Sequence, residues 1–254
     1  MTAETISNFS DQVVIVTGAG SGIGLAAAVA FAEAGARVLG VGRRADALAG
    51  TAELHPSIRT LVADVCSEGA PERIVREAVV RWGRVDVLVN NAGVLAMMPL
   101  DQVTAEGIDR MFATNVTAPS LLASAALPHL RESHGAIVNI SSTYGHRPLA
   151  QASHYAASKA AIEQLTRSWA LELASDRIRV NAVAPGPTRS EALAGAGLTD
   201  AEADRIKDAE ASLVPLGRRG EPEEVAAWIL RLADARTSWL TGQVLTVDGG
   251  LELV

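Results

Sequence analysis

The chain has 254 residues, 48% of them apolar, with a formal net charge of −7 and a single cysteine. That length suits one large α/β domain over residues 1–254, and no linker-like stretch divides it. The acidic balance argues against nucleic acid or an anionic membrane as the main partner, since either needs a basic face.

The opening, MTAETISNFSDQ, has neither the basic nor the apolar segment of a signal peptide. No apolar run approaches the ~18 residues of a spanning helix, so a cytoplasmic protein is expected. The first strand is expected in QVVIVTG, followed by the turn TGAGSGIG at 17–24 and a helix over 22–34. ARVLGVG and IRTLVADV follow as second and third strands, with Cys66 just beyond. A lone cysteine cannot close an internal disulfide, and Cys66 is expected as a small buried side chain. The spacing then predicts a helix over 71–82, the fourth strand in VDVLVNNAG and a long helix over 103–131. GAIVNISS, a helix over 152–174 and IRVNAVAPG come next. A long segment at 189–215, a helix over 222–233 and the strand QVLTVDGG complete the chain.

Each strand candidate is almost continuously apolar, as strands buried on both faces are. Pro71 and Pro222 stand where first-turn prolines are tolerated. Strand–helix alternation of this kind predicts a doubly wound, Rossmann-like α/β fold: a parallel sheet of about seven strands with helices on both faces. The turn TGAGSGIG falls where such a sheet presents its carboxyl edge. A helix N-terminus there offers unpaired N–H groups and partial positive charge, which suit a phosphate. Gly18, Gly22 and Gly24 allow a tight turn, close backbone approach and close helix–strand packing. Gly18, Gly20, Ser21, Gly22, Ile23 and Gly24 are therefore a candidate pyrophosphate cradle; a merely flexible loop is the competing reading. Neither common phosphate motif fits, because Ile23 stands where G-x-G-x-x-G needs glycine and no Lys follows Gly24.

The spacing Thr17-Gly18-x-x-x-Gly22-x-Gly24 resembles the short-chain dehydrogenase/reductase family, and further matches follow in order. NNAG at 90–93 ends the fourth strand, and Asn115 stands in ATNV. Ser142 precedes Tyr155 by thirteen residues, and Tyr155-Ala-Ala-Ser-Lys159 reads as Y-x-x-x-K. APGPT at 184–188 follows the sixth strand, so the likeness runs from residue 13 to the terminal TVDGG. The resemblance implies an oxidoreductase that moves hydride between a nicotinamide cofactor and a small ketone or secondary alcohol.

Reduction of a ketone leaves a developing alkoxide that needs a proton and hydrogen-bond donors. Tyr155 suits that role if a positive charge lowers its pKa, and Lys159, four residues on, shares its helix face. Tyr144, the only other tyrosine, has Pro148 at that spacing. Ser142 ends the fifth strand, where it can bond the substrate oxygen. Without the resemblance, a Tyr–Lys pair at this spacing reads equally as a surface helix pair.

By the same resemblance, Asn115 holds a water chain that relays protons to Lys159, and Lys159 contacts the nicotinamide ribose. By residue type alone, Asn115 would satisfy backbone groups at a helix kink near Pro119. Asp64 and Val65 border the adenine, and Asn91, Ala92 and Gly93 run along the cofactor by backbone contacts. Pro185, Gly186 and Thr188 line it from the sixth strand, with Thr188 on the carboxamide. Taken alone, Asp64 reads as a strand-end cap and Thr188 as a loop hydroxyl. Gly42 offers no carboxylate to repel a 2′-phosphate, and Arg43 and Arg44 follow at once, so NADP(H) is expected over NAD(H). Solvated arginines, with Asp46 approaching the ribose, are the alternative.

The five histidines show no H-E-x-x-H or Cys/His cluster, so no metal is expected. His146 is either a substrate neighbour or a structural side chain. A serine hydrolase would need G-x-S-x-G, which is absent. A non-catalytic dinucleotide sensor or scaffold would keep the glycines and lose Tyr155, Lys159 or Ser142; all are present. The substrate is expected between VLAMMPL at 94–100, TYGHRPLAQ at 143–151 and a lid at 189–215. PLGRRGEPEEVA resembles β-ketoacyl-carrier-protein reductases, yet the phrase is widespread in the family, and a free small substrate ranks above a carrier-bound 3-oxoacyl chain. Family resemblance also implies a homotetramer or homodimer through 103–131 and 152–174, with Ala157, Ala160, Ala161 and Trp169 at the contact. Packing of the same residues within the chain is the alternative.

Overall fold

The computed structural model describes residues 8–189 and 200–254. Seven strands form one sheet: β1 (Val13–Thr17), β2 (Arg37–Gly42), β3 (Ile58–Val62), β4 (Val87–Asn90), β5 (Ala136–Ile140), β6 (Arg179–Pro185) and β7 (Val244–Val247). Their order is β3-β2-β1-β4-β5-β6-β7, and every neighbouring pair is parallel. The order reverses between β1 and β4, which opens a crevice outside their carboxyl ends.

Burial on both faces explains the apolar runs of β1, β2, β4, β5 and β6, whereas the edge strands β3 and β7 are only partly buried. Val14 and Val16 of β1 join a cluster containing Phe31 of α1 (Gly22–Glu33) and Ile229 of α8 (Pro222–Ala233). Val13 and Ile15 point the other way, to Ile74 of α3 (Ala70–Trp82) and Leu122 of α5 (Ala118–Ser133). Phe31 meets Phe9 edge to face at 4.9 Å, and burying one such ring contributes about 1.5–3 kcal/mol. Pro71 and Pro222 both fall in the first turns of their helices, as the sequence predicts.

Two expectations need correction. The stretch 103–131 is not one regular helix but α4 (Ala105–Phe112), a π-helical turn at Ala113–Thr117 and α5. Pro119, in the first turn of α5, has no N–H to return to the carbonyl four residues earlier, and the Ala118 N–H reaches back to the Ala113 carbonyl. Cys66 is exposed rather than buried. The chain leaves the sheet after β3 in a turn where the Asp64 carboxylate accepts the Cys66 N–H at 2.9 Å, leaving the thiol 3.4 Å from Thr114 Oγ1. Two helices carry no clear sequence signal: α2 (Ala45–Glu53) and α7 (Asp200–Leu213). Of the segment expected as a lid, 190–199 lies outside the described residues, and α7 occupies most of the remainder. The last long helix, α6 (Ser153–Glu172), packs against β5 and β6.

Candidate active site

Thr17, at the end of β1, joins the two central strands beneath the glycine turn. Its hydroxyl donates to the Val89 carbonyl at 3.3 Å and accepts the Asn91 and Ala92 N–H groups at 3.0 Å each. The Asn91 side chain returns the bond, its Nδ2 donating to the Thr17 carbonyl at 2.8 Å. Gly18 turns with φ +69°, and a Cβ on it would stand 2.7 Å from Asn91 Nδ2. A Cβ on Gly24 would collide with the Gly18 carbonyl. Only bare backbone fits between the first turn of α1 and the end of β4.

The donor set there suits a phosphate. Ser21, the N-cap of α1, is extended and makes no side-chain cap bond, and no acid stands in the first turn. The leading amides of α1 thus keep their donor capacity and partial positive charge for an external anion. The start of α2 lies against the same turn: Gly20 approaches Ala47 closely, and Thr51 Oγ1 donates to the Ala19 carbonyl at 3.0 Å. Arg43 and Arg44, exposed between β2 and α2, are held beside the cradle by that contact. Val65 is buried and Asp64 half-buried after β3; the Asp64 bond to Cys66 is that of a strand-end cap.

The second half of the site lies beyond β4 and β5. Ser142 is extended and caps the short 3₁₀ turn Thr143–Gly145, its Oγ accepting the Tyr144 N–H at 3.2 Å. That role leaves the hydroxyl proton free to point elsewhere. Tyr155 is half-buried in the first turn of α6 and faces the Ser142 hydroxyl. Burial pushes its phenol above the ordinary tyrosine value, hydrogen bonding from Ser142 opposes the rise, and Tyr144 and Glu210 add to it. Lys159, one turn further, is buried and donates to the Ile140 carbonyl at 2.9 Å. Its Nζ sits 5.8 Å from the centre of the Tyr155 ring, and burial lowers its pKa to about 8. The effect expected of Lys159, a lowered Tyr155 pKa, is thus not what the free protein displays, because desolvation dominates and the ammonium is engaged with a backbone carbonyl.

Asn115 stands in the π turn, buried, with its amide matched to Val94: Oδ1 accepts the N–H at 2.9 Å and Nδ2 donates to the carbonyl at 3.0 Å. Nδ2 also donates to Ser158 Oγ at 3.0 Å, and Ser158 donates to the Tyr155 carbonyl at 2.7 Å. Gly93 lies against both partners, for a Cβ there would be 3.3 Å from Asn115 Oδ1 and 3.4 Å from Lys159 Nζ. Ser142, Tyr155, Lys159, Asn115 and the loop Asn91–Gly93 therefore form one cluster. At the end of β6 the chain passes so close to β7 that a Cβ on Gly186 would meet Asp248. Beyond Pro185 and Gly186, Thr188 is buried, its hydroxyl donating to the Gly186 carbonyl at 3.0 Å.

Several residues at the site escaped the sequence reading. Ser158 looks like filler between Tyr155 and Lys159, yet it couples the π turn to α6. Glu163 reads as a solvated helix acid but has a buried side chain bonded to Ser141 and His146. Glu210 of α7 lies 3.1 Å from Arg219, whose guanidinium also donates to the Thr188 carbonyl at 2.6 Å. Burial raises the Glu210 pKa. His146 has the bonding of a structural residue. Among the described residues no group of three His, Cys, Asp or Glu could hold a metal ion.

Residues 18–252 match the family model described as enoyl-(acyl carrier protein) reductase. The chain is 37% identical over 245 residues to the 3-oxoacyl-(acyl-carrier-protein) reductase FabG of Thermotoga maritima, covering 94% of this chain and 97% of that one. It is 38% identical over 251 residues to the 2,3-dihydro-2,3-dihydroxybenzoate dehydrogenase of Escherichia coli, covering 97% and 99%. The crystal structure of a short-chain dehydrogenase/reductase of unknown function from Caenorhabditis elegans, solved with cofactor, superposes with a TM-score of 0.90 at 36% identity, covering 97% of each chain.

Proposed function

The chain belongs to the short-chain dehydrogenase/reductase family and is a nicotinamide-dependent oxidoreductase, and from that premise we propose that it interconverts a small ketone and its secondary alcohol. The supporting observation is a cluster in which Asn115 and Lys159 lie against Gly93 and Tyr155 meets both Lys159 and Ser142, beside a helix whose first turn holds no acid. The nicotinamide dinucleotide, when bound, supplies or takes the hydride. Gly18 to Gly24 hold its pyrophosphate, Arg43 and Arg44 favour the 2′-phosphate of NADP(H), and Asp64 and Val65 border the adenine. Asn91 to Gly93, Pro185, Gly186 and Thr188 line its length, and Lys159 bonds the ribose. Ser142, its lone pair engaged by Tyr144, directs its proton to the substrate oxygen. Tyr155 delivers the proton that neutralises the alkoxide, with positive charge from Lys159 and the oxidised ring offsetting desolvation of its phenolate. Asn115 supports the proton relay to Lys159 from the π turn.

A carrier-bound 3-oxoacyl substrate is the second reading, favoured by the likeness to the T. maritima reductase. Small ketones and alcohols, and 3-oxoacyl thioesters, assayed with both cofactors by the absorbance of the reduced nicotinamide, decide between the two. Turnover of none of them, or full turnover by Tyr155→Phe, would reject the assignment. No helix among the described residues is long and apolar enough to cross a membrane. We place the protein in the cytoplasm as a homotetramer or homodimer paired through α5 and α6, where Ala157 and Ala160 are exposed. Trp169 packs partly against the chain's own core, so it is at most a shared anchor. A stable monomer in sedimentation at micromolar concentration rejects the assembly.

A further inference from the structure

We infer that His146 is a positioning residue: as an imidazolium it pins the turn that carries Ser142 between α6 and the C-terminal segment. The consequence for catalysis rests on the carbonyl-reduction reading, whereas the clamp itself stands on geometry. His146 Nδ1 lies 3.0 Å from Glu163 Oε1, and Nε2 lies 2.8 Å from Glu252 Oε2. An ionised carboxylate only accepts, so both contacts are hydrogen bonds only when each ring nitrogen carries a proton. A neutral ring turns one lone pair toward a carboxylate.

Both carboxylates are anchored independently. The Glu163 side chain is 4% exposed, and its Oε1 also accepts from Ser141 Oγ at 2.9 Å. Arg167, one turn along α6, lies 3.8 Å from its other oxygen. Glu252 accepts from Thr246 Oγ1 of β7 at 2.9 Å, and its N–H donates to Asp248 Oδ2 at 2.8 Å. That same Asp248 oxygen accepts from Thr143 Oγ1 at 3.1 Å, and Arg147 donates to the Val254 carbonyl at 2.8 Å. The charged groups facing His146 are thus Glu163 and Arg167 from α6 and Glu252 from the C-terminus, with Arg147 alongside.

The clamp acts on the turn because His146 closes it. The His146 N–H returns to the Thr143 carbonyl at 3.3 Å, while Ser142 caps the other end. Fixing the ring therefore fixes the turn whose Tyr144 N–H holds Ser142 Oγ in place. Burial alone would lower the His146 pKa, but bonding and charge from Glu163 and Glu252 outweigh it and hold the pKa above the usual 6.5. The clamp is complete below 6.5 and is lost as pH rises through the raised value.

The test follows the imidazole by NMR in the wild type, in Glu252→Gln, and in His146→Gln for assignment. Amide exchange at 142–147, corrected for its intrinsic pH dependence, and the KM for the carbonyl are measured over the same range. Wild-type His146 is expected to titrate above 6.5, with exchange and KM rising roughly three- to tenfold through that titration. In Glu252→Gln, whose side chain is partly exposed in the parent and whose amide keeps a hydrogen bond without the charge, all of these transitions move to lower pH. Exchange that stays flat across the titration, or a KM transition unmoved in Glu252→Gln, overturns the inference. Retained turnover in Tyr155→Phe overturns the assigned reaction instead, and leaves the titration and exchange measurements to judge the clamp.

Discussion

Around Thr17 the site is made by leaving side chains out, and around Ser142 by packing chosen ones together. In the first region Gly18 and Gly24 let the end of β1, the start of α1 and the Asn91 amide approach to distances that no Cβ permits. In the second, Ser142, Tyr155, Lys159, Asn115 and Ser158 are tied by side-chain bonds to one another and to nearby carbonyls. The contrast separates binding from chemistry. Adding an atom in the first region should damage folding and cofactor affinity together, whereas removing one in the second should leave the fold and stop the reaction.

The largest effect expected is that of Tyr155→Phe. Turnover should fall by roughly 10²- to 10⁴-fold, with cofactor affinity and melting temperature close to the parent's. Tyr144→Phe, measured alongside, should alter turnover far less. Parallel loss of fold and turnover in Tyr155→Phe would erase the distinction between the regions.

Arg43→Ala tests the first region without filling its space. A charge-assisted bond to phosphate is worth ~1.5–3 kcal/mol, so the preference for NADPH over NADH should shrink by roughly 10- to 100-fold, mainly through KM. A parent enzyme with higher kcat/KM for NADH would show that Arg43 and Arg44 do not read a phosphate. Gly24→Ala should destabilise the protein by about 1–3 kcal/mol, because its methyl meets the Gly18 carbonyl and Asn91 Nδ2. Urea unfolding of the free protein checks that loss; an unchanged midpoint would mean that the turn is loose.

The smallest expected effect is a pH dependence in the second region. Lys159 titrates at about 8, so its ammonium predominates below that pH and is lost above it. The kcat for carbonyl reduction should fall to roughly half near pH 8, in Glu252→Gln as in the parent. The sign for stability is opposite. The unfolded chain keeps this proton up to 10.5, so the folded state gains from Lys159 as pH rises from about 8 toward that value. Urea midpoints of the parent and Lys159→Met between pH 7 and 10 separate this contribution from the rest.

The two regions were also unequally legible. The inner strands write continuous apolar runs because both their faces are buried, and all seven strand candidates contain strands of the sheet. The Y-x-x-x-K spacing fixes Tyr155 and Lys159 on one helix face, and their juxtaposition follows from helix geometry. Bonds between distant residues leave no comparable trace. Asn91 is expected along the cofactor by its backbone, and nothing in the sequence announces that its side chain also braces Thr17, seventy-four residues away. Glu163 carries no signal in its own helix, because its partners, Ser141 and His146, arrive from another segment. Cys66 departs from its expected burial because residue type sets burial only on average, and a turn after β3 carries it outward.

The π turn at Ala113–Thr117 has a consequence for how the sequence can drift. It holds one residue more per turn than the helices flanking it, and that surplus carries Asn115 to Val94 and Ser158. Deleting any one of its residues would restore a regular helix, with Leu122, Ala126 and Leu130 still in phase against the sheet. The same deletion would swing Asn115 away from Val94 and Ser158. Length is thus inherited here as a unit with the asparagine. Gaps in descendants of this sequence belong at its loops and helix ends, while between Phe112 and Ala118 the number of residues must stay as it is.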